Sequence, residues 1–127
     1  MTAIKIISTK NAPAVVGPYS QALEVNGFVF CSGQIGIDPK TGEVDPTIEG
    51  QTRQTLNNLR AVINASGSDF DHVVKITIYL TNMADYAKVN EIYTGYFTKT
   101  KPARVTVAVA SLPREVLIEI DVIAVKK

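Results

Sequence analysis

The sequence predicts an α+β fold in which two helices cover one face of a β-sheet, in the element order β-β-α-β-α-β-β. Two observations lead to this prediction: short segments alternate apolar and polar residues with the period of a strand, and two longer segments repeat apolar residues with helical spacing. The 127 residues are 46% hydrophobic, which suffices for one core. No repeat or linker divides the chain, so residues 1–127 are predicted to form a single domain.

The first two predicted strands form a hairpin around Asn26-Gly27, because "YSQALEV" and "FVFCSGQI" flank a dipeptide that favours positive φ at both positions. The two residues beside the turn fix the register of the pairs. The expected pairs are Val25 with Phe28, Leu23 with Phe30, Gln21 with Ser32 and Tyr19 with Gln34.

The middle of the chain predicts helix, strand and helix. Asp45 is expected to cap the first helix, with Pro46 at its first position and Gly67 beyond its end. A second helix is expected over residues 84–98, after the strand "HVVKITIYLT". The expected core residues are Ile48, Thr52, Leu56, Leu59 and Ile63 in the first helix, Val74, Ile76, Ile78 and Leu80 in the strand, and Val89, Ile92, Tyr93, Tyr96 and Phe97 in the second helix.

The last two strands, "ARVTVAVA" and "VLIEIDVIAV", are expected to pair antiparallel across the loop "SLPRE". Val105, Val107 and Val109 would then face the core. Arg104 and Thr106 would share the opposite surface with Glu119 and Asp121, and Leu23, Phe28 and Phe30 would lie on that surface too. With no helix left to cover this face, self-association is expected.

Composition argues against several classes of function. A formal net charge of +1 and the absence of Trp give no basic-aromatic surface, so neither nucleic acid nor a membrane is expected as a partner. No secretion signal or apolar run of roughly 20 residues is present, so a cytoplasmic location is expected. The lone Cys31 and the lone His72 have no companions at metal-ligand spacing, and Cys31 is expected to be a buried, unreactive thiol.

Arg104 allows two interpretations that spacing alone leaves open. It could form an interface salt bridge with Glu119 or Asp121 that holds subunits in register. Alternatively, its planar fork could bind a ligand carboxylate, with the hydroxyls of Tyr19, Ser32 and Thr106 around it. Tyr19 could equally be an aromatic residue packed at the interface.

Five motifs cover almost the whole chain in a fixed order: "NAPAVVGPYSQA", "SGQIGIDPKTGE", "QTRQTLNNLRAVINASG", "VVKITIYLTNMADYAKVNEIY" and "KPARVTVAVASLPREVLIEIDVIAV". Taken together, they resemble the reactive intermediate imine deaminase (RidA, YjgF-like) family. The resemblance implies a chorismate-mutase-like fold with a mixed sheet. It also implies a homotrimer whose sheets face inward and whose clefts lie between subunits.

The resemblance further implies a cofactor-independent 2-iminobutanoate/2-iminopropanoate deaminase. Such an enzyme hydrolyses imines formed from enamines such as 2-aminoacrylate to 2-keto acids and ammonia. By the same resemblance Arg104 would bind the substrate carboxylate and Glu119 would position the attacking water. The remaining cleft residues would be Tyr19, Ser32, Gly33, Asn90 and Thr106, the last at a position where many members have cysteine.

Two other functions remain as alternatives at this point. The same cleft could bind 2-keto acids or other small carboxylates without turning them over. A translation-inhibitor or ribonuclease activity, described for some relatives, fits the near-neutral charge less well.

Overall fold

The computed structural model describes residues 2–127 and confirms the predicted α+β class: two helices pack on one face of a six-stranded mixed sheet. The strand order is β1-β2-β3-β6-β4-β5, and only β4 and β5 run parallel. The short first strand is absent from the sequence prediction. The elements are β1 (Lys5–Ile7), β2 (Ala22–Val25), β3 (Phe28–Gln34), α1 (Ile48–Ala65), β4 (Val73–Leu80), α2 (Tyr86–Tyr96), β5 (Ala103–Ala108) and β6 (Ile118–Val125).

The hairpin between β2 and β3 forms as predicted. Asn26 and Gly27 have φ values of 51° and 79°, and the flanking residues pair in the expected register, Val25 with Phe28 and Leu23 with Phe30. The pairing ends before Tyr19, contrary to the prediction, because the Tyr19 N–H instead donates to the Gly17 carbonyl in a turn. A bulge between Cys31 and Gln34 also shifts the register of β3 against β6.

Helix α1 begins two residues later than predicted. Its N-cap is Thr47, whose Oγ1 accepts a hydrogen bond from the Gly50 N–H at 3.0 Å. Asp45 lies two residues before this cap, and its Oδ1 accepts a hydrogen bond from the Thr47 N–H at 2.8 Å. The predicted core stripe is confirmed, since all its members are buried: Ile48, Thr52, Leu56, Leu59 and Ile63.

Strand β4 and helix α2 differ from the prediction at their ends. A bulge between Val73 and Lys75 turns Val73 into the core and leaves Val74 43% exposed, so the prediction for Val74 is wrong. A 3-10 turn at Met83–Asp85 precedes α2, which ends at Tyr96. Within the predicted stripe, Val89 and Phe97 are buried, while Ile92, Tyr93 and Tyr96 are partly buried against the core.

The expected pairing of the last two strands is wrong. Strand β6 lies between β3 and β4, while β5 is the edge strand, parallel to β4. Arg104 is level with the fully buried Ile76, and Thr106 is level with Ile78. Arg104 and Thr106 therefore lie on the face that the helices cover, because residues paired across two strands share a face.

The other face of the sheet, here called the open face, has no helix on it. Val105 and Val107 lie on this face, 41% and 37% exposed, and not in the core as predicted. Phe28 and Phe30, each 44% exposed, lie there as predicted. No helix within residues 2–127 is long and apolar enough to cross a membrane.

Candidate functional site

Arg104 is held by three side chains from one face of α2. Its Nη1 donates to Asn90 Oδ1 at 2.8 Å, and its Nη2 donates to the Tyr86 hydroxyl at 2.9 Å. Its Cζ lies 4.9 Å from the ring centroid of Tyr93 and 5.5 Å from that of Tyr86. Positions 86, 90 and 93 are four and three residues apart, which places them on one side of the helix. Helix α2 thus fixes the guanidinium at the edge of the sheet.

The guanidinium keeps donors for a ligand. Of its five N–H groups, these two contacts use two, and the remainder can bind an anion. The hydrogen bond with Asn90 and then the charge of Arg104 lower the pKa of Tyr86, whereas burial raises the pKa of Tyr93. A cleft of about 290 Å³ adjoins Arg104, lined by Asn90, Tyr93, Thr94, Phe97, Lys101 and Pro102.

Thr106 lies two residues beyond Arg104 on the same face of β5. Its hydroxyl is buried, and it has no hydrogen-bond partner among residues 2–127. A buried donor left without a partner costs free energy in proportion to its lost solvation. The hydroxyl is therefore available to a polar group that enters this region.

Glu119 lies on the open face, where β6 pairs with β4. Burial, and then the nearby charge of Asp121, raise the pKa of Glu119 above its ordinary value. Asp121 accepts a hydrogen bond from the Tyr79 hydroxyl at 2.9 Å. A β-carbon at Gly33 would lie 2.9 Å from the Cδ of Glu119, so only glycine leaves this carboxylate its place.

Ser32 and Gln21 anchor the segment that carries Tyr19. The Ser32 hydroxyl donates to the Ser20 carbonyl at 2.6 Å. The buried Gln21 amide donates to the carbonyls of Thr9 and Pro13, at 3.1 and 2.9 Å. Tyr19 itself is 51% exposed.

The predicted site residues fall into two groups on opposite faces of the sheet. Arg104 and Thr106 lie on the helix-covered face with Asn90, whereas Glu119 lies on the open face against Gly33. The expectation that one surface carries both charges is wrong, because β5 pairs with β4 and not with β6. The opposite placement is inconsistent with a salt bridge between Arg104 and Glu119 inside one chain.

Sequence reasoning missed two contacts of these groups. Tyr86 was not predicted to contact Arg104, although its spacing from Asn90 and Tyr93 placed all three on one helical face. The hydrogen bond from Tyr79 to Asp121 joins strands that the predicted topology did not make neighbours.

Cys31 and His72 lie outside both groups. Cys31 is buried as expected, and burial followed by the charge of Asp121 raises the pKa of its thiol to about 12. His72 precedes β4 and contacts Asp69 Oδ1 at 2.6 Å through Nδ1. The described chain contains no cluster of three or more His, Cys, Asp or Glu residues that could hold a metal ion.

Comparison with known proteins identifies the family. The sequence profile of the family described as endoribonuclease L-PSP matches residues 9–126. The chain belongs to this family. A RutC family protein of Pyrococcus horikoshii is 52% identical to it over 124 residues, which are 97% of this chain and 98% of the relative.

Two further family members have more informative names. The mouse protein named 2-iminobutanoate/2-iminopropanoate deaminase is 46% identical over 123 residues, which are 96% of this chain and 91% of the relative. Escherichia coli TdcF, solved with bound serine, superposes with a TM-score of 0.94 at 40% identity, covering 97% of this chain and 99% of that one. These matches confirm the resemblance to the imine deaminases at the level of the family.

Proposed function

We propose that this member of the L-PSP family hydrolyses 2-imino acids, including those that form from 2-aminoacrylate, to 2-keto acids and ammonia. In this reaction the water oxygen bonds to the imine carbon, the carbon–nitrogen bond breaks, and the nitrogen leaves as ammonia. The observation that supports it best is the Arg104 guanidinium, held by Asn90 and Tyr86 with N–H groups to spare for a carboxylate.

The proposed catalytic unit is a homotrimer with its sites between subunits. Arg104 and Glu119 lie on opposite faces of one sheet, so a shared site needs a second copy of the chain. The exposed aromatic rings of the open face give the copies an apolar surface to bury, and the edge position of β5 brings Arg104 to the subunit boundary.

One subunit contributes the carboxylate-binding group and its neighbour the water-activating group in this proposal. Arg104 binds the substrate carboxylate, with Asn90 and Thr106 beside it. Glu119 of the neighbouring subunit orients the attacking water. The residues that line the neighbour's side are Tyr19, Ser32 and Gly33.

The chemistry needs no metal or cofactor, because a protonated imine carbon is already electrophilic. Glu119 takes a proton from the water as the carbon–oxygen bond forms and returns it to the nitrogen. It then accepts the remaining hydroxyl proton as the carbonyl forms, the carbon–nitrogen bond breaks and ammonia leaves, and this proton passes to solvent. A carboxyl whose pKa is raised suits both transfers, since it accepts and releases a proton nearer to neutral pH. Fixing the carboxylate beside this water supplies further acceleration through orientation.

Binding without turnover is the second candidate, and the serine bound to TdcF is the observation that favours it. Both candidates use Arg104 in the same way, so ligand binding does not separate them. Release of ammonia from an authentic imine separates the two candidates, because only an enzyme accelerates it.

The test measures 2-keto acid and ammonia release from an imine that an amino acid oxidase generates in situ. Arg104→Lys keeps the charge but loses the planar fork, and Arg104→Ala loses both. Since a hydrogen bond to a charged group contributes roughly 1.5–3 kcal/mol, losing one or two should lower kcat/KM about tenfold to about 20,000-fold. Glu119→Gln should keep carboxylate binding and lose rate.

Arg60→Lys is the matched control, because Arg60 also lies over a tyrosine ring, 5.1 Å from that of Tyr96, but is outside the proposed site. Its activity should equal that of the wild type. Full activity in a trimeric Arg104→Ala protein would refute the catalytic assignment. If Arg104 instead forms an interface salt bridge, its variants and those of Glu119 would lose trimer mass together, and activity would fall only with the trimer.

A further inference from the structure

Tyr86 combines two contacts with Arg104 that no other side chain of α2 combines. Its hydroxyl accepts from Nη2 at 2.9 Å, and its ring centroid lies 5.5 Å from the guanidinium carbon. Asn82 fixes the turn before α2 by accepting a hydrogen bond from the Ala84 N–H at 2.9 Å. This turn places Tyr86 at the first position of the helix, where its side chain is 40% exposed.

Two hydrogen bonds hold a guanidinium better than one. Asn90 alone fixes Nη1 and leaves the plane free to rotate about that contact. A second acceptor on Nη2 fixes the rotation, and the two rings limit movement out of the plane. Pre-ordering a flexible arginine reduces the entropy lost when a carboxylate binds, so the ordered fork binds it more tightly.

We propose that Tyr86 is a positioning residue, whose hydroxyl orients the Arg104 guanidinium for a two-point contact with the substrate carboxylate. This inference rests on the proposed role of Arg104. It predicts that Tyr86 affects affinity for the carboxylate group itself and has little effect on the water-delivering step at Glu119.

The test compares Tyr86→Phe with Tyr96→Phe. The first substitution removes one oxygen atom and keeps the ring over Arg104. The second removes the equivalent atom from the same helix, where the Tyr96 hydroxyl donates to Asn57 Oδ1 at 2.9 Å and Arg104 is not involved. Thermal midpoints of both variants show whether loss of a hydroxyl affects folding.

The probes are 2-oxobutanoate and 2-oxobutanamide, which differ only in the charged carboxylate, with binding measured by calorimetry. Tyr86→Phe should weaken the binding of 2-oxobutanoate about tenfold and leave the weak binding of the amide unchanged. In imine hydrolysis KM should rise by a similar factor while kcat changes little. Tyr96→Phe should match the wild type in every binding and kinetic measurement.

Two results separate this inference from the proposed function. If Arg104→Ala abolishes 2-oxobutanoate binding and Tyr86→Phe binds it as the wild type does, the positioning role is wrong and the role of Arg104 stands. If Arg104→Ala itself binds 2-oxobutanoate normally, the proposed function fails first. Equal weakening of acid and amide by Tyr86→Phe, with a lowered thermal midpoint, would show a structural role and overturn the inference.

Discussion

Glu119 is a carboxyl in an environment that disfavours its charge. Burial and then Asp121 raise its pKa above the ordinary 4.5, so the folded chain binds the proton more tightly than the unfolded chain. Stability therefore falls as pH rises from the unfolded pKa through the folded pKa, and the cost is complete above the latter. The same raised pKa that lowers the free energy of unfolding makes this carboxylate better suited to proton transfer.

The pH dependence of turnover tests this arrangement at the level of single residues. In the proposed mechanism the ionised form of Glu119 orients the water, so activity should fall as pH drops through its raised pKa. Asp121→Asn removes the second cause of the shift, so the acid limb of the kcat profile should move to lower pH.

Asp71→Asn serves as the control for removing one negative charge elsewhere. Asp71 lies 3.8 Å from Lys99 in a surface ion pair, away from the open face. The acid limb of the kcat profile of the Asp71→Asn variant should coincide with that of the wild type. An Asp121→Asn profile that also coincides with the wild type would mean that the catalytic pKa does not belong to Glu119.

The arrangement of the candidate site residues could be predicted from the sequence only in part. The family resemblance pointed to Arg104 and Asn90, which the structure brings to 2.8 Å of each other. Tyr86 was missed because an arginine–tyrosine contact across 18 positions depends on how α2 sits over β5, which periodicity does not encode.

Among the elements, β5 shows most clearly what periodicity leaves open. Alternation correctly separated Arg104 and Thr106 from Val105 and Val107, but it does not say which set meets the helices. The choice follows from the parallel pairing with β4, which aligns Arg104 with the buried Ile76. Local patterns were sufficient for the buried stripe of α1 and for the Asn26-Gly27 turn with the register beside it, but they placed the cap of α1 two residues too early.

Helix α1 offers a test of the corrected cap. Thr47→Ala removes the acceptor for the Gly50 N–H and should cost about 1 kcal/mol, which lowers the thermal midpoint by a few degrees. Calorimetry measures the midpoint. Thr98→Ala, at an exposed threonine beyond α2, is the control and should leave it unchanged. Equal midpoints for the two variants would mean that Thr47 does not act as the cap.

At the scale of the whole molecule, the placement of Arg104 and Glu119 on opposite faces makes a quantitative prediction about mixed assemblies. In the proposed trimer, Arg104→Ala alone and Glu119→Gln alone should each lower turnover strongly. If the two are unfolded together and refolded at equal amounts, about a quarter of the inter-subunit sites should regain both wild-type groups, by random assortment of copies. Turnover of the mixture should therefore reach about a quarter of the wild-type value.

The matched control is the same experiment with two variants of one half-site. Arg104→Ala mixed with Asn90→Ala combines lesions that the proposed assembly places on the same subunit. Every subunit in this mixture carries one of the two substitutions in that half-site. Random assortment therefore restores no intact site. Sedimentation of every mixture should give the mass of three 13.7 kDa chains. No recovery in the main mixture would place the two charges within one copy. Recovery in the control would contradict the placement of Arg104 and Asn90 in one half-site.

The buried thiol of Cys31 also makes the folded chain convenient for spectroscopy. Burial raises the pKa of its thiol to about 12, which lowers its thiolate fraction at neutral pH, and the residue is only 6% exposed. Maleimide dyes should therefore not react with the native Cys31 in the folded protein. A single cysteine substituted for Val16, which is 94% exposed next to the Tyr19 segment, would carry the dye alone. Energy transfer between such labels can then follow subunit exchange without any change to the core.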